Sequence, residues 1–107
     1  MPIIDRFDIW FVQLDPTIGR EIKKTRPCVI ISPNEMAPLS TVLVAPMTTQ
    51  SFKFPMRVLC TFQGKNGLIL LDQIRAVDKI RLIEKKGALT ETTQIVLCKR
   101  LQEMFAY

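Results

Sequence analysis

Apolar and polar residues along this chain change period once. Up to residue 83 the apolar positions come in short runs of strand length broken by turn residues, and from residue 90 they recur at helical spacing. FDIWFVQL at 7–14 is rich in aromatic and branched residues with broken alternation, as in a strand covered on both faces. DPTIG at 15–19 predicts a turn, because Pro16 fixes φ and Gly19 permits positive φ. The polar, basic loop REIKKTR follows at 20–26. Pro27 then opens a second strand, CVIIS, since a strand tolerates proline only at its start or an edge. SPNEMAPLS at 32–40 is loop by its Pro, Asn and Ser content, TVLVAPM at 41–47 a third strand, and TTQSFKFP at 48–55 another loop.

MRVLCTF at 56–62 sets Arg57 and Thr61 outward between apolar neighbours and reads as a strand. QGKNG predicts a hairpin turn in which Asn66-Gly67 supplies positive φ. GLILLDQIRAVD and then KIRLI make the last strand or pair of strands. Beyond them Leu97, Cys98, Leu101, Met104 and Phe105 fall on one helical face, with Lys99 and Arg100 on or beside the polar one. Thr90 is placed to cap that helix, and Glu91 in its first turn complements the helix dipole. With no repeat, linker or low-complexity segment, the pattern predicts a mainly β fold with a C-terminal α-helix. It is one compact barrel of about six short strands closed by that helix, a single domain over residues 1–107.

Composition changes this picture chiefly by exclusion. A chain of 107 residues buries roughly two-thirds of its unfolded surface. At 48% apolar and 23% charged residues it needs neither metal nor disulfide to hold a core. It has no histidine, which removes Ser-His-Asp and Cys-His machinery and histidine-containing metal sites. Cys28, Cys60 and Cys98 are an odd set without close spacing, so they form no metal or redox motif. They read as buried inert thiols, and unpaired thiols suit a reducing cytoplasm. Asp5, Arg6 and Asp8 interrupt any secretory apolar region in MPIIDRFDIW, and LILL at 68–71 is far too short to span a bilayer. The expectation is a cytoplasmic protein with no membrane contact. Its formal charge of +5 fits a polyanionic partner, though many small basic proteins have none.

Four features carry possible chemistry. Arg20, Lys23, Lys24 and Arg26 against Asp15 and Glu21 leave the 15–26 loop with an excess of +2, which describes a solvated turn or an anion-binding one. Thr48-Thr49 follow a strand directly, where hydroxyls cap backbone groups or donate to a phosphate. Asp72 and Arg75 interrupt an apolar run, and a fixed salt bridge between them is the plain account. In SFKFPMR, Phe52 and Phe54 alternate with Lys53. That is the mixture of stacking face and cation a single-stranded nucleic acid needs, and equally two core rings beside a solvated lysine.

Taken in order, these features resemble the MazF/PemK toxins, small endoribonucleases of toxin–antitoxin pairs. DIWFVQLDPTIGREIKKTRPCVIIS resembles the family's amino-terminal signature, with Asp15-Pro16, Gly19, Glu21 and Arg26-Pro27 at the family's spacing. VAPMTTQ at 44–50 resembles the second motif, a strand ending in P-x-T, and LLDQIRAVDKIRL at 70–82 the third, (D/E)-Q-(I/V/P)-R. The chain departs from the pattern where Arg20-Glu21-Ile22 replaces Ser-Glu-Gln and where Lys24 replaces a loop glycine.

The resemblance implies a small SH3-like barrel of the CcdB/MazF type and a metal-independent cleavage of single-stranded messenger RNA. In that reaction the RNA's own 2′-hydroxyl attacks the adjacent phosphorus, leaving 2′,3′-cyclic phosphate and 5′-hydroxyl ends. It implies Arg26 as the charge-stabilising group and Thr48 as the hydroxyl on the scissile phosphate. Asp72, with Glu21 as the other candidate, would be the base. Glu21, Lys24, Thr49, Gln50, Lys53, Phe54, Gln73 and Arg75 are implied as substrate-binding. No metal or cofactor is implied; the partners are RNA, a cognate antitoxin and a second copy of the chain. Two other readings remain: a CcdB-type poison that binds DNA gyrase through the end of its helix, and a non-catalytic RNA-binding barrel.

Overall fold

The structure, a computed structural model, describes residues 3–107, so the first two residues of the amino-terminal segment read above lie outside it. Seven strands and one helix follow in order: β1 (Asp8–Gln13), β2 (Thr25–Ile30), β3 (Thr41–Thr48), β4 (Arg57–Phe62), β5 (Lys65–Leu70), β6 (Arg75–Asp78), β7 (Leu82–Ala88) and α1 (Glu91–Phe105). The sheet runs β4-β5-β3-β2-β1-β7, with β6 also on β3, and every pairing is antiparallel. It curls into a half-barrel whose edges are β4 and β7. The fold is mainly β with a C-terminal helix, as the hydrophobic pattern predicts.

The near-continuous apolar runs of β1, β2 and β3 make sense because both faces of the sheet are covered. Strand alternation sends Ile9, Val29, Ala45 and Met47 into one core, which Leu97, Cys98, Leu101 and Met104 of α1 cover. It sends Trp10, Val12, Cys28, Ile30, Val42 and Val44 into a second core on the other face, with Val77 of β6 and Leu82 of β7 folded over it. Thr90 caps α1 by accepting from Thr93 N–H, as expected. Phe105, placed by periodicity on the buried face, is instead exposed at the helix end.

Three expectations need correction. Pro27 lies inside β2, opposite Phe11 of β1, and the ladder from β2 to β3 begins only at Cys28↔Pro46. A residue without N–H thus occupies the stretch where β2 runs ahead of one neighbour. The hairpin turns at Gln63-Gly64, both at positive φ, while Asn66 and Gly67 sit within β5 opposite Thr61 and Cys60. The segment after residue 67 holds parts of three strands, separated by 3-10 turns at Leu71–Gln73 and Lys79–Arg81. Most of β7, LIEKKGA, carries no apolar pattern because it is an exposed edge strand, and its Lys85 and Lys86 are typical of protected edges.

Candidate active site

Strand β3 changes partner along its length. Thr41–Val44 pair with β6, and Met47 and Thr48 with β5. Pro46, fully buried, stands at the changeover, where a missing N–H breaks the ladder to one side. The P-x-T sequence therefore marks the corner of the half-barrel, and Thr48 is the last residue of β3. The β2–β3 ladder ends at Cys28↔Pro46, and two positions further along the two strands lie Arg26 of β2 and Thr48 of β3. Two motifs separated by over twenty residues thus end on adjacent strands.

Thr48 is 8% exposed, and its Oγ1 accepts from Gln50 N–H at 3.1 Å. The hydroxyl proton is left to point elsewhere. Arg26 is half-buried and donates from Nε to the Lys23 carbonyl at 3.1 Å, so the two terminal nitrogens of its fork are not engaged by that bond. Lys24, at the family's glycine position, adopts φ 70°, the left-handed conformation that glycine reaches without strain. A cleft of about 210 Å³ opens beside Thr48, walled by Phe11, Pro27, Phe62 and Gly67 and rimmed by Thr49 and Lys65.

A second cleft, about 390 Å³, joins the first motif to the third: Arg20 and Glu21 on one side, Asp72, Gln73 and Arg75 on the other. The anticipated Asp72–Arg75 salt bridge is not formed. Asp72 instead takes Arg57 in a two-toothed pair, Nε to Oδ1 at 3.2 Å and Nη2 to Oδ2 at 3.0 Å. Hydrogen bonding by Asp72 raises the Arg57 pKa further. Arg75 donates to the Leu14 carbonyl at 3.1 Å, and Gln73 Oε1 accepts from Ile22 N–H at 2.8 Å. Glu21 spends Oε1 on Ile18 N–H.

Phe52 and Phe54 are 70% and 51% exposed, which disposes of the core reading for both rings. The Arg57 guanidinium stacks on them, 4.7 Å and 5.8 Å from the ring centres, and Lys53 is exposed between them. Sequence reasoning missed Arg57 as a site residue, along with Ser51, whose Oγ it contacts at 2.6 Å, and Arg81, which donates to the Gln13 and Asp15 carbonyls. No local pattern singles these out, because their partners lie in other segments of the chain. Among the described residues no three His, Cys, Asp or Glu side chains group as metal ligands, and no helix is long and apolar enough to cross a membrane. Cys28 and Cys60 are buried as expected, whereas Cys98 is half-buried on the helix.

Residues 5–105 match the family described as PemK-like, MazF-like toxin of type II toxin-antitoxin system. The chain is 34% identical over 100 residues to the endoribonuclease toxin MazF of Escherichia coli K12, covering 89% of this chain and 88% of the relative. It is 37% identical over 102 residues to the endoribonuclease MazF of Staphylococcus epidermidis, covering 87% and 83%. In fold it is similar to MazF from Deinococcus radiodurans, with a TM-score of 0.85 over all of both chains at 19% identity. It is also similar to a mycobacterial endoribonuclease solved in complex with its cognate antitoxin, with a TM-score of 0.79 over 94% of this chain and 93% of that one at 19% identity. On its three motifs, its half-barrel and these matches, the chain belongs to the PemK-like, MazF-like toxin family of type II toxin–antitoxin systems.

Proposed function

We propose that this chain is an endoribonuclease toxin that cuts single-stranded RNA by in-line transfer to the RNA's own 2′-hydroxyl. The observation that carries the reading is the antiparallel β2–β3 register, whose continuation brings Arg26 and Thr48 to neighbouring strand ends, with an open cleft beside Thr48. In the reaction the 2′-oxygen loses its proton and bonds to phosphorus. The P–O5′ bond breaks, and the departing oxygen takes up a proton. The products are a 2′,3′-cyclic phosphate and a 5′-hydroxyl, with no water consumed. The protein's task is to hold the backbone in line and neutralise the phosphorane oxygens.

Arg26 supplies a permanently charged fork for those oxygens. Thr48 donates its hydroxyl to the same phosphate, its lone pair already held by Gln50 N–H. Of the two candidate carboxylates, Asp72 has both oxygens on Arg57, whereas Glu21 commits one oxygen to the backbone. Glu21 is therefore the better candidate to receive the 2′-proton. Lys53 and the exposed rings of Phe52 and Phe54 present charge and stacking faces to neighbouring nucleotides. The +5 charge suits RNA and equally an acidic antitoxin segment competing for the same surface. As partners we propose a cognate antitoxin and a second copy of the chain.

The test is cleavage of a long single-stranded RNA by purified protein in EDTA, with Arg26→Ala alongside. The expected result is discrete fragments ending in cyclic phosphate, absent with the variant. Intact RNA across diverse sequences overturns the reading.

A further inference from the structure

Two exposed loops border the candidate site, and both are tied to one short segment between β5 and β6. The 14–22 loop is held at both ends: Leu14 O accepts from Arg75 Nη1 at 3.1 Å, and Ile22 N–H donates to Gln73 Oε1 at 2.8 Å. These bonds span 61 and 51 residues of sequence, whereas the bonds inside the loop, Thr17 to Asp15 and Ile18 to Glu21, are local. The 51–54 loop is held through Arg57. Its Nη1 donates to Ser51 Oγ at 2.6 Å and to Phe52 O at 3.3 Å, and its guanidinium carries both phenylalanine rings. Asp72 holds Arg57 in turn with both oxygens.

The groups that tie this segment to the two loops are engaged within the protein, and Arg75 gives one terminal nitrogen to the Leu14 carbonyl. All three nitrogens of Arg57 donate internally, both oxygens of Asp72 accept from it, and the Gln73 carbonyl is occupied by a backbone amide. The Arg57–Asp72 pair is also partly withdrawn from solvent, with side chains 12% and 30% exposed, which makes it firmer than a surface ion pair.

Resting on the endoribonuclease reading, we infer that Asp72, Gln73 and Arg75 are positioning residues. They brace the 14–22 and 51–54 loops in a fixed relation and act on RNA through those loops rather than by touching it. The third motif then sets the spacing between two loops of unrelated sequence. Asp72 and Gln73, the last two residues of the 3-10 turn, reach opposite loops, and the Arg75 side chain reaches from the start of β6 to the Leu14 carbonyl just beyond β1.

The experiment compares full-length wild type with Asp72→Asn, Gln73→Leu and Arg75→Ala, using an RNA the wild type cuts and amide hydrogen exchange on the free proteins. The expected result is a KM raised about tenfold, the scale of one lost hydrogen bond, with kcat nearly unchanged. The pH profile and the slope of log affinity against log salt should match wild type, and exchange should quicken in residues 14–22 or 51–57. Arg57→Ala, which removes the guanidinium the loop rests on, should quicken exchange in 51–57 at least as much as Asp72→Asn, and combining the two should add nothing further. A collapse of kcat in Asp72→Asn at unchanged KM would make that residue the base and overturn the inference. So would a salt slope smaller by about 0.7 in Arg75→Ala, the mark of one lost phosphate contact on a single strand. Unchanged exchange in both loops would do the same. If wild type cuts no RNA, the endoribonuclease reading fails, while the exchange data still decide the brace.

Discussion

Gly67 of β5 and Thr48 of β3 approach so closely that a β-carbon on residue 67 would stand 2.9 Å from the Thr48 carbonyl oxygen. The obstructing atom is backbone, so a side chain at 67 must displace the end of β3, and with it the Thr48 hydroxyl. Gly67→Ala is expected to destabilise the fold by about 1–3 kcal/mol, the usual cost of overpacking. It should also lower kcat more than stability alone explains at a temperature where the variant is folded. Normal turnover in a folded Gly67→Ala would separate Thr48's exact placement from the chemistry.

Arg26 and Thr48 should differ in how they tolerate conservative change. Arg26→Lys keeps the charge and loses the fork, and is expected to cost at least about tenfold in kcat. Thr48→Ser keeps the hydroxyl and should retain most activity, whereas Thr48→Val, similar in shape but without the donor, should lose it. Single-turnover cleavage at saturating protein reads both effects. Equal activity in the serine and valine variants would exclude the hydroxyl as the operative group.

Lys53, exposed between two exposed rings, is expected to contact phosphate directly. Lys53→Ala should weaken RNA binding and reduce the salt slope by about 0.7 without changing single-turnover kcat. A salt series on an RNA bound by the Lys53 variant and by wild type measures it. An unaltered slope would move the phosphate path away from the 51–55 loop.

Burial pushes the Cys28 thiol up to about 12, with Arg75 pulling slightly the other way, and burial pushes Cys60 up to about 11. Both folded values lie above the ordinary thiol value, so the fold favours the protonated form. That stability is present in full below about pH 8.5 and is lost as pH climbs toward the folded values, at up to about 1.4 kcal/mol per unit for each thiol. Thermal unfolding from pH 7 to 10.5 should show the decline, and Cys28→Val should flatten it. At pH 8 a thiol-alkylating reagent should modify Cys98 ahead of the other two, since Cys98 is the least buried.

Much of the fold is legible in residue order because it depends on local chemistry. Branched and aromatic runs with both faces apolar announce β1, β2 and β3, and the shift to helical spacing after Thr90 announces α1. The turn between β4 and β5 is harder to read, because Asn66-Gly67 is the stronger local signal for positive φ. Register decides otherwise: pairing Phe62 with Lys65 puts the turn at Gln63-Gly64 and draws Gly67 into the sheet against Thr48. β7 is hidden for a related reason, since an edge strand needs a neighbour to pair with but no buried face to advertise it.

By itself the sequence determined the first five strands and α1, their order, and the three motifs that carry Arg26, Thr48 and the 72–75 segment. Those are properties of residue type and spacing over short stretches. Tertiary structure alone decided which side chains meet: that Asp72 answers to Arg57 rather than Arg75, that Gln73 grips Ile22, and that Phe52 and Phe54 face outward around a guanidinium. Such pairings are fixed by strand register and sheet curl over separations of up to about sixty residues, a distance across which local propensity carries no information.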